Sequence, residues 1–238
     1  MRLRLLTHAG DIRFCPLPSP VRHSGWRTPM PRASKAKKIQ RRTPKTARSR
    51  ATVEAILQGT ARTLVKRGYA DATSNHIAEE AGVGIGSFYE YFEDKNDAVV
   101  AVVNQFAARA FDHAAKTVAV ALQKPHRDAV RYFIGEMVEF TAAESSLIRT
   151  LYQQVPFVWE MPRVQKLVTQ LEQFGLALAK QPGFEATAQA KLNDKFYVIG
   201  IAVGATIVQI ATDPAKEWRR ARLADELSLM ITRYLRLQ

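Results

Sequence analysis

The chain of 238 residues has a single cysteine, Cys15, near its start. One thiol builds neither a disulfide framework nor a cysteine-ligated metal site, and the shortage suits a reducing compartment, so the expected location is the cytoplasm. Histidine is also scarce: beyond residue 97 only His113 and His126 occur, too few for a metal site. No Gly-x-Ser-x-Gly, His-Glu-x-x-His or Cys–His pair is present, and Asp112 beside His113 reads as a helix face. The expectation is therefore no enzyme, no catalytic residue, no metal and no cofactor. Gly84-Ile85-Gly86 is no phosphate loop, because helical patterns flank it where such a loop follows a strand. The most apolar run, Phe196 to Thr212, is shorter than the roughly 20 residues needed to span a bilayer. Gln209 within it and Lys195 and Asp213 beside it also argue against a membrane helix. Residues 1–50 show no secretory h-region; being Arg-rich and acid-poor they also fit an organelle transit peptide, a weaker reading.

Acid is almost missing from the first fifty residues. They carry fourteen Lys and Arg against one acid, Asp11, while the remaining residues hold 21 of each sign. The net charge of +13 therefore belongs to the arm, and the rest of the chain is neutral overall. Six of the eleven prolines (Pro16, Pro18, Pro20, Pro29, Pro31 and Pro44) fall in the same stretch, with no apolar period, so residues 1–47 are expected to be a disordered basic arm. Met30 is a candidate translation start within it.

What the chain does have is apolar residues, 47% of the total, enough for a real core, at helical spacing. Val53, Ile56, Leu57, Ala61 and Leu64 recur as one helix face from residue 51, and Gly68 suits its C-terminal cap. Thr73 or Ser74 can cap a short second helix carrying Ile77, Ala78 and Ala81. Gly82 makes a tight turn, and a third helix is expected from Ile85 to Tyr91. Asp94 can cap a fourth, with Asp97 favouring its dipole, and with an apolar face of Ala98, Val99, Val102, Val103 and Phe106. Further helices are expected near 127–154, 162–181, 187–211 and 215–237, punctuated by Pro156, Pro162, Pro182-Gly183 and Asp213-Pro214. No run alternates with period two, so the fold class is all-α.

Three short helices with a glycine turn before the third read as a helix-turn-helix. The small residues Ala78 and Ala81 are expected to let the second helix lie close across the third. The third then projects its outer face into the major groove, which is wide enough for one helix. At this point the residues resemble the tetracycline-repressor (TetR) family. The matching features are Arg67-Gly68-Tyr69, the run Thr73-Ser74-x-x-Ile77-Ala78-x-x-Ala81-Gly82-Val83, and Gly86-Ser87-Phe88-Tyr89-x-Tyr91-Phe92-x-x-Lys95. Glycine, aromatic and lysine positions fall in register over about 45 residues, all within the first domain.

The resemblance implies a DNA-binding domain over 48–108, with its motif at 73–92, followed by a helical ligand-binding and dimerisation domain over 109–238. It implies that Thr73 and Ser74 meet a phosphate, that Ser87, Tyr89 and Tyr91 are recognition-helix contacts, and that Lys95 anchors a phosphate. Ile85 and Gly86 sit where base edges would be read. Neither offers a strong hydrogen-bonding side chain, so thymine methyls and DNA shape are expected to contribute. The plain alternatives are that Tyr89 and Tyr91 cover the edge of a small domain and that Lys95 is a solvated lysine. Phe88 and Phe92 are expected to pack inward, and His76 is a partly exposed helix residue.

In the second domain the aromatic segment 147–161, with Tyr132, Phe133, Met137, Phe140 and Phe174, is expected to line an apolar pocket through Tyr152, Phe157 and Trp159; ordinary core packing is the alternative. Few charges fall there, so the effector is expected to be a small apolar or aromatic molecule. Gly200 and Gly204 form a small surface on one helix, and Leu223, Leu227, Met230, Ile231, Tyr234 and Leu235 an apolar face on the last. Ile201, Gly204, Val208, Leu227, Ile231 and Tyr234 are expected at a homodimer interface, with packing inside one chain as the alternative. The expected partners are double-stranded DNA with a palindromic operator, a second copy and a small-molecule effector, and no membrane. The competing functions are a nonspecific DNA-binding protein driven by the arm and a non-enzymatic helical ligand-binding protein.

Nine of the positive charges lie from Arg32 to Arg50, beside the DNA-binding domain, where they can track phosphates or the minor groove. Removing residues 1–46 is expected to weaken DNA binding mainly at low salt and to flatten the dependence of affinity on salt. Titration across salt concentrations checks this, and an unchanged slope would remove the arm from the interface.

Overall fold

Thr46 and Ser49 start the first helix. The Ser49 N–H donates to Thr46 Oγ1 at 3.2 Å and the Thr46 N–H donates to Ser49 Oγ at 3.0 Å, a reciprocal cap that satisfies two amides otherwise without partners. Helix α1 therefore runs Ala47–Asp71, beginning four residues before the first apolar periodicity. The computed structural model describes residues 43–178 and 189–235; the expected break at Pro182-Gly183 lies outside them. Helices α2 (Ser74–Ala81), α3 (Ile85–Tyr91) and α4 (Lys95–Ala121) follow. Thr73 caps α2 by accepting from the His76 N–H, Gly82 ends it in the left-handed conformation, and Asp94 caps α4 by accepting from the Asp97 N–H. These are the caps expected from the residue types.

Beyond α4 come α5 (His126–Ala143), α6 (Ser145–Gln154), a 3₁₀ turn at Val158–Glu160, α7 (Pro162–Leu178), α8 (Gln189–Thr212), a second 3₁₀ turn at Pro214–Arg219, and α9 (Arg220–Leu235). There is no strand among the described residues, and the fold is all-α. Two boundaries differ from the sequence pattern. The single helix expected over 127–154 breaks at Glu144, whose carboxylate pairs with Arg109 of α4 at 2.7 Å. No glycine or proline marks the place. Ser145 and Ser146 compete weakly for helix, and the turn is decided by packing, because it aims Leu147, Ile148 and Leu151 of α6 inward. The last helix likewise starts at Arg220, after the 3₁₀ turn.

The described residues build two hydrophobic cores. The first joins Ile56, Leu57 and Leu64 of α1, Ile77 and Ala78 of α2, Phe88 of α3, and Ala98, Val99, Val102 and Val103 of α4. Leu147 and Leu151 of α6 and the following Val155, Val158 and Met161 also belong to it. The second joins Ala121 at the end of α4, Ala129, Val130, Phe133, Ile134 and Val138 of α5, Phe196, Val203, Ile207 and Ile210 of α8, and Ala224, Leu227, Ile231 and Leu235 of α9. At 27 residues, α4 is about 40 Å long and contributes to both. By length and composition Asp194–Thr212 of α8 is sufficient to cross a membrane; Phe196, Val203, Ile207 and Ile210 pack into the second core, while Tyr197, Val198 and Ile201 stay exposed.

Ala81 has a further role, against the first helix. A Cβ built on Gly59 of α1 would lie 2.7 Å from the Ala81 Cβ and 2.8 Å from its backbone nitrogen. Ala81 thus makes a close approach to α1, across from Gly59. Thr63 of α1 strengthens the same contact by donating to the His76 carbonyl at 3.4 Å, and Arg62 and Lys66 clamp Glu80 at 2.8 Å each. The variant Gly59→Ala should gain up to about 1 kcal/mol of helix propensity, but its methyl meets backbone that cannot yield, and overpacking costs about 1–3 kcal/mol. A net loss of stability is expected in urea unfolding; a stabilised variant would show that α2 can move away from α1.

Candidate nucleic-acid interface

Helix α3 has seven residues and two unlike sides. Phe88 is fully buried in the first core, with Phe92 beside it, their ring centroids 5.7 Å apart. Both pack inward, as the sequence pattern requires. On the other side Ile85, Gly86 and Tyr89 are exposed and Ser87 is half-buried. Ile85 and Tyr89 are four residues apart and share one face. The Tyr89 ring stands edge-on to Phe88 at 5.4 Å, so the buried ring holds the exposed one. Gly84 begins the helix without a side-chain cap, leaving amides at the exposed end. An exposed helix face with a large aromatic, an aliphatic and a glycine can meet the edges of base pairs through shape and methyl contacts.

The remaining expected DNA residues are placed less uniformly. Thr73 is exposed and Ser74 half-buried at the start of α2, and the Thr73 hydroxyl oxygen is engaged by the His76 N–H at 3.2 Å. Tyr91 is half-buried against the first core, so most of its ring serves packing. Lys95 is half-buried too, and its Nζ turns inward: it donates to the carbonyls of Tyr69 at 2.8 Å and Ala70 at 3.3 Å and lies 4.7 Å from the centre of the Tyr69 ring. It is neither a free solvated lysine nor, in this conformation, turned out for a phosphate.

Tyr69 is a site residue that the sequence pattern shows only as part of Arg-Gly-Tyr. Its hydroxyl donates to Asn96 Oδ1 at 2.8 Å. Burial, with Asp94 adding to it, holds the phenol above its usual range, so the ring stays neutral beneath Lys95. Nearby, hydrogen bonds from Lys66 and then Arg62 hold the Glu80 carboxyl below its usual range. Glu80 is thus an anion that offsets two cations on the surface of the first three helices, and it fixes α2 against α1. These surface pairs position helices and add little stability.

In the second half of the chain the expected pocket residues occupy three separate places. Phe133 and Phe174 stack at 4.4 Å, with Tyr132 and Met137 beside them against the second core. Phe140 lies over His113 at 4.6 Å and near Phe106 at 5.7 Å. Tyr152 and Trp159 meet edge to face at 4.9 Å, while Phe157 packs on the first core with its ring 6.1 Å from Tyr69. Among the described residues a cleft of about 500 Å³ opens between α5 and α9; of the eight expected residues it includes Tyr132, and its mainly apolar walls are bordered by the charged side chains of Lys124, Asp128, Arg131, Glu136 and Asp225. No cluster of His, Cys, Asp and Glu that could hold a metal is found among the described residues.

Of the residues expected at a dimer interface, Leu227 and Ile231 are buried within their own chain, and Gly204 and Val208 are partly buried. Ile201 and Tyr234 are exposed, and so are Met230 of the apolar face expected on the last helix and Tyr197, Val198 and Leu229, which the sequence pattern alone did not single out. Gly86 provides a test of the α3 face. A Cβ there meets nothing within 4 Å, and its φ is not positive. Gly86→Ala is therefore expected to change stability by less than about 0.5 kcal/mol while lowering duplex affinity by about 1–3 kcal/mol, the scale of one spoiled base-pair contact. Unfolding and fluorescence-anisotropy titrations separate the two, and unchanged binding would take Gly86 out of the interface.

The comparisons with known proteins agree with this geometry. Residues 56–102 match the family described as bacterial regulatory proteins, tetR family. A helix-turn-helix transcriptional regulator from the lacX 3′ region of Lactococcus lactis subsp. lactis is 40% identical over 55 residues, 23% of this chain and 28% of that one. The match thus spans little more than a quarter of that relative. Among solved structures, the fatty acid degradation regulator FadR of Bacillus halodurans superposes with a TM-score of 0.62 at 15% identity, over 79% of this chain and 96% of that one. A TetR-family regulator from Mesorhizobium loti gives 0.61 at 14%, over 80% and 98%. FadR of Bacillus subtilis, solved with stearoyl-CoA, gives 0.58 at 13%, over 75% and 96%. Identities this low establish the shared all-helical fold, and the sequence match falls on the helices that carry the exposed α3 face. Residues 56–102 are thus a DNA-binding domain of the kind found in the tetR family of bacterial regulatory proteins.

Proposed function

We propose that the chain is a homodimeric repressor that holds a palindromic operator and releases it when a small apolar or aromatic ligand binds the helical domain. The observation that carries this reading is the uncovered apolar strip on α8 and α9. Tyr197, Val198 and Ile201 on α8 and Leu229, Met230 and Tyr234 on α9 are each more than 40% exposed. A patch of this kind in one chain marks an interaction surface. A second copy is its simplest occupant, because a two-fold dimer presents two α3 faces to two half-sites one helical turn apart. Leu227 and Ile231 then support the interface from within their own chain.

Regulation follows from two conformations that differ in the spacing of the two recognition helices. A ligand that prefers the wrongly spaced one lowers DNA affinity by its differential affinity for the two, typically 5–150-fold in such systems. Helix α4, whose ends lie in different cores, is suited to carry that difference. The fold shared with a FadR solved with stearoyl-CoA supports an apolar effector class. The basic arm favours a second reading, nonspecific DNA binding with steep salt dependence.

Selection of random duplex DNA by the purified chain at near-physiological salt tests the reading, with enrichment of one palindrome expected. Enrichment of nothing by a folded protein would leave the nonspecific reading. For the interface, Ile201→Arg changes a residue exposed in the single chain, so the monomer should remain folded while the dimer is lost in light scattering. A dimeric variant would remove this strip from the interface. The Thr46 cap also refines the arm truncation, since a cut after residue 42 removes most of the charge and leaves the start of α1 intact.

A further inference from the structure

We propose that Gln154, at the C-terminal end of α6, is a positioning residue for DNA binding: it holds the break in α1 at Gly68 and, through Tyr69 and Lys95, the end of the recognition helix. This rests on the DNA-binding role of α3 argued above.

At Gly68 the backbone of α1 leaves helical geometry, with φ 75° and ψ 172°. Such a break takes neighbouring peptide groups out of the helical ladder. Their partners come from two other helices. The Tyr69 N–H donates to Gln154 Oε1 at 2.9 Å, and the carbonyls of Tyr69 and Ala70 accept from Lys95 Nζ. The Tyr69 side chain is held as well, its hydroxyl by Asn96 and its ring by Lys95 on the face and Phe157 on the edge. Every polar atom of Tyr69 is thereby engaged, its amide by α6 and its carbonyl and hydroxyl by the first two residues of α4. Lys95 follows Phe92, the C-terminal cap of α3, by three residues.

The fit between Gln154 and the break is close. A Cβ on Gly68 would lie 2.6 Å from Gln154 Oε1, so the amide oxygen occupies space that only glycine leaves free, and the positive φ independently favours glycine. Gln154 is itself exposed and contributes no packing in the core. A displacement of α6 by little more than an ångström lengthens the bond past useful distance. The connection is therefore made or lost over a short movement. It runs from α6 to α1 and to the start of α4, and does not require α4 to move as a whole.

The test uses the full chain and three forms: wild type, Gln154→Ala, which removes the acceptor, and Gln154→Glu, which retains one. Affinity is measured for the palindrome obtained by selection, and amide exchange by mass spectrometry over peptides covering 66–72 and 85–97. For Gln154→Ala we expect faster exchange in both peptides, an unchanged melting temperature, and affinity lower by roughly tenfold, the scale of one hydrogen bond; Gln154→Glu should restore affinity and protection. Wild-type affinity in Gln154→Ala, or faster exchange confined to 66–72, would overturn the proposal, as would failure of Gln154→Glu to restore protection. If the wild type selects no palindrome, the proposed repressor function fails, and exchange over 85–97 still decides whether Gln154 is linked to the recognition helix.

Discussion

A single helix, α4, has to satisfy two hydrophobic cores at once. Its first turns bury Ala98, Val99, Val102 and Val103 with the DNA-reading helices, and its end buries Ala121 with α5, α8 and α9. Cores pack at crystal-like density and move as units more readily than they deform. The head and the rest of the chain are consequently joined through a rod whose two ends are gripped by different neighbours.

Helix α6 supplies a second junction. Leu147 and Leu151 enter the core of the DNA-reading helices although they lie far along the chain from them, and Gln154 meets the break in α1. The usual division into a DNA-binding head and a separate helical domain describes the order of functions along the sequence better than it describes the packing. The expected boundary near residue 108 falls in the middle of α4, and the core around Phe88 is completed by residues 147–161. Aromatic side chains that suggest a ligand cavity are in good part fillers of these cores: Phe157 completes the contact with Tyr69, and Phe133 and Phe174 cover one another.

Among the expected DNA contacts the structure distinguishes kinds of residue. Ile85, Gly86 and Tyr89 are presented outward by a helix whose other side is held by Phe88. Tyr91 is committed partly to packing. Lys95 is committed to two carbonyls and a ring, interactions that orient it and would have to be exchanged for any bond to phosphate. A cation placed over an aromatic face and bonded to carbonyls is more strongly held than a surface ion pair, and so Lys95 is tied to Tyr69.

Local chemistry was legible in the sequence alone. Thr73 and Asp94 announce helix starts because their short oxygens reach nearby amides, Gly82 announces a turn because it tolerates positive φ, and the spacing of Ile77, Phe88 and Phe92 shows which side is buried. The run from Arg67 to Lys95 was enough to identify the family resemblance and the short helix whose outer face is exposed. What needed the tertiary structure is each choice between chemically equivalent options: that α6 separates from α5 at Glu144, that Ala81 meets Gly59 of α1, that Lys95 turns inward, and that Leu227 and Ile231 are internal while Ile201 and Tyr234 remain uncovered. The physical reason is one of range. Caps, turns and periodicity act over three or four residues and are written in order, whereas the partner of a buried or half-buried side chain is set by chain segments tens of residues away, as Gln154 is for Tyr69, and becomes defined only when the helices have packed.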